Sequence, residues 1–389
     1  MQAIIKTQEF LNLSASLNYQ LSATPVNWPA ILALTVGDRF TEVEEETIVD
    51  VLTYLQEAYG QSKRRLGPVA VLHPIRTMAL LARAMEHPTL LDLLTALLHD
   101  KQEDLTEKKL PLENWQVTEA HYQDLLRRID PADQWYLNER IDVLTIRENE
   151  RYYNYLGRVL DRARLTPELV RAKLADRLDN TLDLRMDLHD PTADEQCYET
   201  VFSILYTAAT PRRPLRKGHP IPGKIDGSRR LFQLFKNAVL LTLLRRERQD
   251  RIDRAAERLS SSIARASLSE AQRILLHLFD YHLPDPRVQR EILQDVMDYC
   301  RSGAITRVTP GGRRHRLDGL FKDRFDQEDK ATRNRLLDEL YQDKYLMAEA
   351  AVAFMAIFSS FLHDPDFRIR GIDARGIHPD EDGTLEVQT

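Results

Sequence analysis

Behind an acidic start, Glu44-Glu45-Glu46, the apolar residues Ile48, Val51, Leu52, Leu55 and Ala58 recur at intervals of three and four. That spacing gathers them on one stripe of a helix, whereas a strand would send them to alternating faces. The acidic start suits the positive end of the helix dipole. The same spacing returns at Ile75, Met78, Ala79 and Ala82, and it resumes from residue 229 to about 362. Only 14 glycines interrupt 389 residues, so few positions weaken the pattern, and an all-α chain is predicted. A chain of this length exceeds one ordinary core and suggests two. The expected division is an N-terminal extension at 1–40, a helical domain at 41–206, a basic Pro/Gly-rich linker or loop at 207–228, a second helical domain at 229–365 and a polar tail at 366–389.

Charge and cysteine content narrow the function classes. A net charge of -6 argues against a general nucleic-acid coat, although the basic stretches at 211–217 and 313–316 leave local binding open. Cys197 and Cys300 stand far apart without CxxC spacing, so neither a disulfide framework nor a cysteine zinc site is expected. The start, Met1-Gln2-Ala3-Ile4-Ile5-Lys6, lacks the pattern of a secretory signal. The apolar run Ala350 to Leu362 is shorter than the roughly 20 residues a membrane helix needs. It reads as a buried helix, and the expected setting is a reducing cytoplasm with no membrane partner.

Chemistry concentrates where the apolar run Thr89 to Leu98 ends in His99-Asp100-Lys101-Gln102-Glu103-Asp104. Charged groups at the end of a buried helix need a partner, and a metal ion is one. Helical neighbours point about 100° apart, so His99 and Asp100 can share an ion only beyond or beside the helix end. If the helix continues one turn, Glu103 and Asp104 stand over them. Upstream, His73 precedes Pro74, which predicts a helix beginning at Pro74 with His73 at its N-cap. Downstream, Lys173, Asp176, Arg177 and Asn180 share one helix face with a carboxylate at its centre. His73, His99, Asp100 and Asp176 together offer two imidazoles and two carboxylates, a set suited to Mn²⁺, Fe²⁺, Co²⁺ or Zn²⁺. His363-Asp364 precedes Pro365, lacks the Glu-Asp echo and reads as chance.

The ordered motifs His73-Pro74, His99-Asp100-x-x-Glu103-Asp104 and Lys173-x-x-Asp176-Arg177-x-x-Asn180 resemble the signature of HD-domain phosphohydrolases, in the branch formed by the hydrolase domains of RelA/SpoT alarmone enzymes. Arg64, Gly67 and His73 match the family's upstream spacing without a gap. The resemblance covers roughly residues 40 to 205 and implies an HD-domain helical bundle followed by a second helical domain. It implies His73, His99, Asp100 and Asp176 as ligands of a divalent metal, usually manganese. Glu103 and Asp104 would activate and place the attacking water, Arg64 would stack on guanine, and Asn180 would contact the sugar. Lys63 and Arg65 suit phosphate by charge.

The implied reaction removes the 3′-pyrophosphate of guanosine tetra- or pentaphosphate, a small-molecule nucleotide substrate. Leu66, Ala70 and Tyr59 stand where the family often has Ser, an aromatic and His, changes that touch the base pocket rather than the metal. Two alternatives stay open: the same centre acting on another phosphorylated nucleotide, such as the 2′-phosphate of a dinucleotide, and a non-catalytic HD signalling module. The C-terminal half carries no recognised motif and reads as a regulatory or oligomerisation domain, binding a protein partner or a second copy.

Overall fold

The computed structural model describes residues 3–60, 62–63, 69–183, 197–206, 226–246, 253–301, 315–327 and 329–378. These are mostly helical, and the only strands among them form one short hairpin. The chain divides into two compact units, the first comprising Met1–Met186 with Gln249–Ile263, the second Asp187–Arg248 with Ala264–Thr389.

The first unit holds α1 (Thr7–Leu21), α2 (Trp28–Thr35), α3 (Glu42–Tyr59), α4 (Leu72–Ala84), α5 (Leu90–Leu98), α6 (Lys101–Asp104), α7 (Leu112–Leu126), α8 (Pro131–Leu144), α9 (Tyr152–Ala163) and α10 (Glu168–Leu182). Two of its helices start on capping boxes. Thr41 accepts from Glu44 N–H while Glu44 accepts from Thr41 N–H, and Thr89 and Asp92 do the same at α5. The centre is α4, which is buried on every side: Leu72, Ile75, Met78, Ala79, Leu80, Leu81 and Ala82 are all inaccessible. A helix with no solvent-exposed face has to be surrounded, and α1, α2, α5 and α10 pack around it. Residues 1–40 therefore supply two helices to this unit, with Phe10 and Leu17 fully buried. Residues 249–263 join it too: Arg258 donates to Ala84 O at the end of α4 at 2.9 Å, and Ile4 N–H donates to Ser262 Oγ at 3.1 Å.

His73 lies inside α4 rather than at its cap, since the helix starts at Leu72. Pro74 is tolerated because the first turn's N–H groups have no intrahelical acceptor in any case.

The second unit holds α11 (Cys197–Tyr206), α12 (Gly227–Arg246), most of α13 (Arg254–Tyr281), α14 (Pro286–Arg301), a π-helical turn at Phe321–Phe325, α15 (Lys330–Gln342), α16 (Lys344–His363), β1 (Ile372–Asp373) and β2 (Gly376–Ile377). α16 is long and apolar enough to cross a membrane by length and composition alone, longer than the apolar run suggested, and 67% of that window is buried within the protein. It packs against α12, α14 and α15. The segment from 366, expected as a polar tail, instead buries Ile369, Ile372 and Ile377 and pairs β1 with β2 antiparallel against α12. Arg245 fixes it by donating to the carbonyls of Asp364 and Phe367 at 2.7 and 2.9 Å. The basic stretch at 211–217 lies outside the described residues, as do Arg313 and Arg314.

Candidate metal centre

α4, the end of α5 and α10 bring four side chains to one point. His73 Nε2 and His99 Nε2 lie 3.2 Å apart. Asp100 reaches both rings, with Oδ2 at 3.3 Å from His73 Nε2 and Oδ1 at 3.2 Å from His99 Nε2. Asp176 Oδ1 lies 3.4 Å from His73 Nε2 and 3.7 Å from His99 Nε2. Ligands held at about 2.1 Å from one ion, at angles between square and tetrahedral, stand about 3.0–3.4 Å apart; donor atoms of His73, His99 and Asp176 all lie within 4.8 Å of one another and could hold one ion, with Asp100 beside both rings. His73, His99 and Asp176 are buried, while Asp100 keeps 27% of its side chain open to solvent.

The tautomers make the same point independently. His73 Nδ1 donates to Asp179 Oδ2 at 2.6 Å, and His99 Nδ1 donates to Ala96 O at 2.8 Å. A neutral imidazole with its proton on Nδ1 leaves a lone pair on Nε2. Two buried lone pairs facing each other at 3.2 Å repel unless a positive charge, a metal ion or a proton on one ring, lies between them. The field favours such a charge: burial opposes protonation of His99, yet Asp100 and Asp176 outweigh it and raise its pKa well above the usual imidazole range. Burial would raise the Asp100 carboxyl and the two histidines hold it far below the carboxylate range instead. For Asp176 the opposing groups are Lys173 and both histidines, again with a net lowering.

A supporting layer surrounds the four. Asp179, fully buried, accepts from Arg76 Nε and NH2 at 2.7 and 3.1 Å. Arg76, equally buried, donates to Asp183 Oδ1 at 2.8 Å and lies over the Phe10 ring at 5.0 Å. A carboxylate behind a ligating histidine fixes ring and tautomer. Lys173 donates to Asp176 Oδ2 at 2.8 Å, leaving Oδ1 to the histidines, and its ammonium lies over the Tyr155 ring at 4.9 Å. The spacing His73/Arg76 on α4 against Asp176/Asp179 on α10 was the available signal for this layer: two three-residue steps that meet across a helix pair.

The remaining predicted residues fall in several places. Glu103 is half-buried, and its Oε1 accepts from Ile146 N–H at 2.8 Å. Burial, with smaller contributions from Asp100 and Asp176, raises its pKa above the ordinary carboxylate value. Asp104 accepts from Lys109 Nζ at 2.9 Å and from Tyr59 OH at 3.4 Å. Asn180 donates to the backbone carbonyl of Asp176 at 3.1 Å and also to its carboxylate. Lys63 is exposed and bridges to Val69. Arg64 and Arg65 lie outside the described residues. His363 donates to Ser359 O at 2.8 Å, one turn back.

The buried group of His73, His99 and Asp176 could hold a metal ion. No family model, curated protein or solved structure matches the chain.

Proposed function

We propose that this chain is a metal-dependent nucleotide phosphohydrolase of the HD type that removes the 3′-pyrophosphate of guanosine tetra- or pentaphosphate. The observation that carries the reading is the pair of Nε2 atoms of His73 and His99, 3.2 Å apart and flanked by the carboxylates of Asp100 and Asp176. Mixed N/O donors suit Mn²⁺, and equally Fe²⁺, Co²⁺ or Zn²⁺. A divalent ion held there supplies Lewis acidity toward water and toward a phosphate oxygen.

The chain's own groups supply the rest. Glu103, whose raised pKa makes it a better proton acceptor than an ordinary carboxylate, takes a proton from the attacking water. The water oxygen bonds to phosphorus, the bond from phosphorus to the ribose 3′ oxygen breaks, and that oxygen leaves as the 3′ hydroxyl with the proton that Glu103 took from the water, handed back directly or through solvent. Asp104 orients the water. Lys173 keeps Asp176 directed at the histidines. Lys63, Arg64 and Arg65 offer cations to the phosphates, with Arg64 stacked on the base, and Asn180 turns from Asp176 to the sugar. The substrate is a soluble cytoplasmic nucleotide, and the second unit serves regulation or assembly.

A second reading, hydrolysis of another phosphorylated nucleotide, draws on Tyr59. Its hydroxyl engages Asp104 where the family often has His, and its ring is buried, so this change reaches the water-side wall rather than only the base pocket expected for it. Metal analysis of the purified protein followed by a nucleotide panel with Mn²⁺ decides. Release of pyrophosphate from guanosine tetraphosphate is expected. Metal bound without turnover of any nucleotide overturns the enzymatic reading, and turnover unaffected by Asp100→Ala overturns the assignment of the centre.

A further inference from the structure

The second unit contains a carboxylate that ordinary packing does not explain. Glu349, in the interior of α16, is fully buried, and neither of its side-chain oxygens has a hydrogen bond. Its nearest cationic atom is Arg316 Nε at 3.6 Å from Oε2, too long for a hydrogen bond. That guanidinium is already committed: NH2 donates to Asp343 Oδ2 at 2.7 Å, and the group lies over the Tyr345 ring at 4.7 Å. Burying a carboxylate without a donor is costly. Burial, helped by Asp295 and Asp343 and resisted by Arg316, pushes its pKa up to about 7.

Glu349 faces a chemically matched group. One donor atom each from Asp295, His315 and Glu349 lies within 4.8 Å of the others. Asp295 comes from α14, which packs against α16, and its side chain is 55% exposed. The cluster therefore has one buried and one open carboxylate, which gives an ion both a seat and an entry.

The histidine here is wired oppositely to those of the first centre. Leu317 N–H donates to His315 Nδ1 at 3.0 Å, so Nδ1 carries the lone pair and the ring proton sits on Nε2. Nε2 then donates to Asp295 Oδ2 at 3.0 Å. Coordination through Nε2 would move the proton to Nδ1 and set two N–H groups against each other. His315 thus orients Asp295 from outside, with its ring stacked on Tyr299 at 4.3 Å, and the ion must be satisfied by oxygen. Carboxylate oxygens at 2.3–2.6 Å from Ca²⁺ stand up to about 5 Å apart across the ion, which matches the span of the cluster.

We propose that Asp295 and Glu349, with His315 as positioning residue, form a binding site for a hard, oxygen-coordinated divalent cation of the Ca²⁺ class. The site lies within the second unit and owes nothing to the hydrolase reading.

Tb³⁺, an oxygen-seeking ion of similar size to Ca²⁺, is the probe. Titrated into the full-length protein with tyrosine excitation, it is expected to show emission sensitised by Tyr299 and displaced by Ca²⁺. Glu349→Gln should weaken Tb³⁺ and Ca²⁺ binding roughly tenfold or more by removing one anionic ligand, and His99→Ala should leave both unchanged. Because Asp295 is largely exposed, Asp295→Asn gives the same reading in a fully folded chain should Glu349→Gln fail to fold. Sensitised emission equal in wild type and in both carboxylate variants overturns the proposal. So does the absence of binding at millimolar ion, or a preference for Zn²⁺ over Ca²⁺, which would require the His315 nitrogen as ligand.

Discussion

Asp179 accepts from His73 Nδ1 at 2.6 Å and from two nitrogens of Arg76 at 2.7 and 3.1 Å, all out of contact with water. One carboxylate thus fixes the tautomer of a candidate ligand and offsets a buried guanidinium. An amide in its place can still present an oxygen to His73, but its NH2 then faces the N–H groups of Arg76. Asp179→Asn is expected to lower metal affinity about 10–100-fold, measured by competition with a chromogenic chelator, while the ligand atoms themselves remain. Arg76→Met is a different kind of loss. It takes from buried Asp179 and Asp183 the guanidinium that donates to both, and removing one partner of a buried pair costs about 3–5 kcal/mol. A denaturant midpoint unchanged by Arg76→Met would contradict the network as described.

At the scale of elements, the decisive feature is the interruption between α5 and α6. α5 stops at Leu98, and both Glu103 N–H and Asp104 N–H return to the carbonyl of Asp100, at 3.0 and 2.8 Å. The break lets His99 and Asp100 converge on one point, which neighbours in an unbroken helix do poorly. α6 is then tied outward: Lys101 donates to Glu119 on α7 at 2.7 Å, and Glu103 accepts from Ile146 just past α8 at 2.8 Å. Glu103→Gln keeps an acceptor for Ile146 but removes the proposed base. Folding and metal content should therefore be unaffected, with kcat falling about 10²–10⁴-fold. Loss of metal along with activity would show that Glu103 is structural.

Much of this was legible in sequence. The 3–4 spacing located α3, α4 and α10, and the residue types marked the side chains that meet between α4, α5 and α10. Less visible was what depends on distant partners. Asp179 read as one more charge on a charged helix, because nothing local says that α4 will bring Arg76 against it. The α5–α6 break leaves no Gly or Pro to mark it. Among the described residues after 366 the buried apolar side chains are Ile369, Ile372 and Ile377, set in a polar stretch, too few for a periodic signal.

On the scale of the whole molecule, two compact units carry two clusters whose histidines are set in opposite tautomers. In the first, both Nδ1 atoms donate, which turns both Nε2 atoms toward Asp100, Asp176 and a borderline ion. In the second, Nδ1 accepts, and only carboxylate oxygen is offered. An ion that binds the folded state alone stabilises it by RT ln(1 + [L]/Kd), about 2.7 kcal/mol at a hundredfold excess over Kd. The two units should therefore separate by ion chemistry in scanning calorimetry of the chelator-treated full-length chain. Co²⁺ or Zn²⁺ should raise the transition of the unit bearing His73 and His99, and Ca²⁺ that of the unit bearing Glu349. His99→Ala should abolish the first response and leave the second, and Glu349→Gln the reverse. A single transition raised equally by Zn²⁺ and Ca²⁺, and equally weakened by either substitution, would mean that the donor sets do not discriminate as their hydrogen bonds dictate.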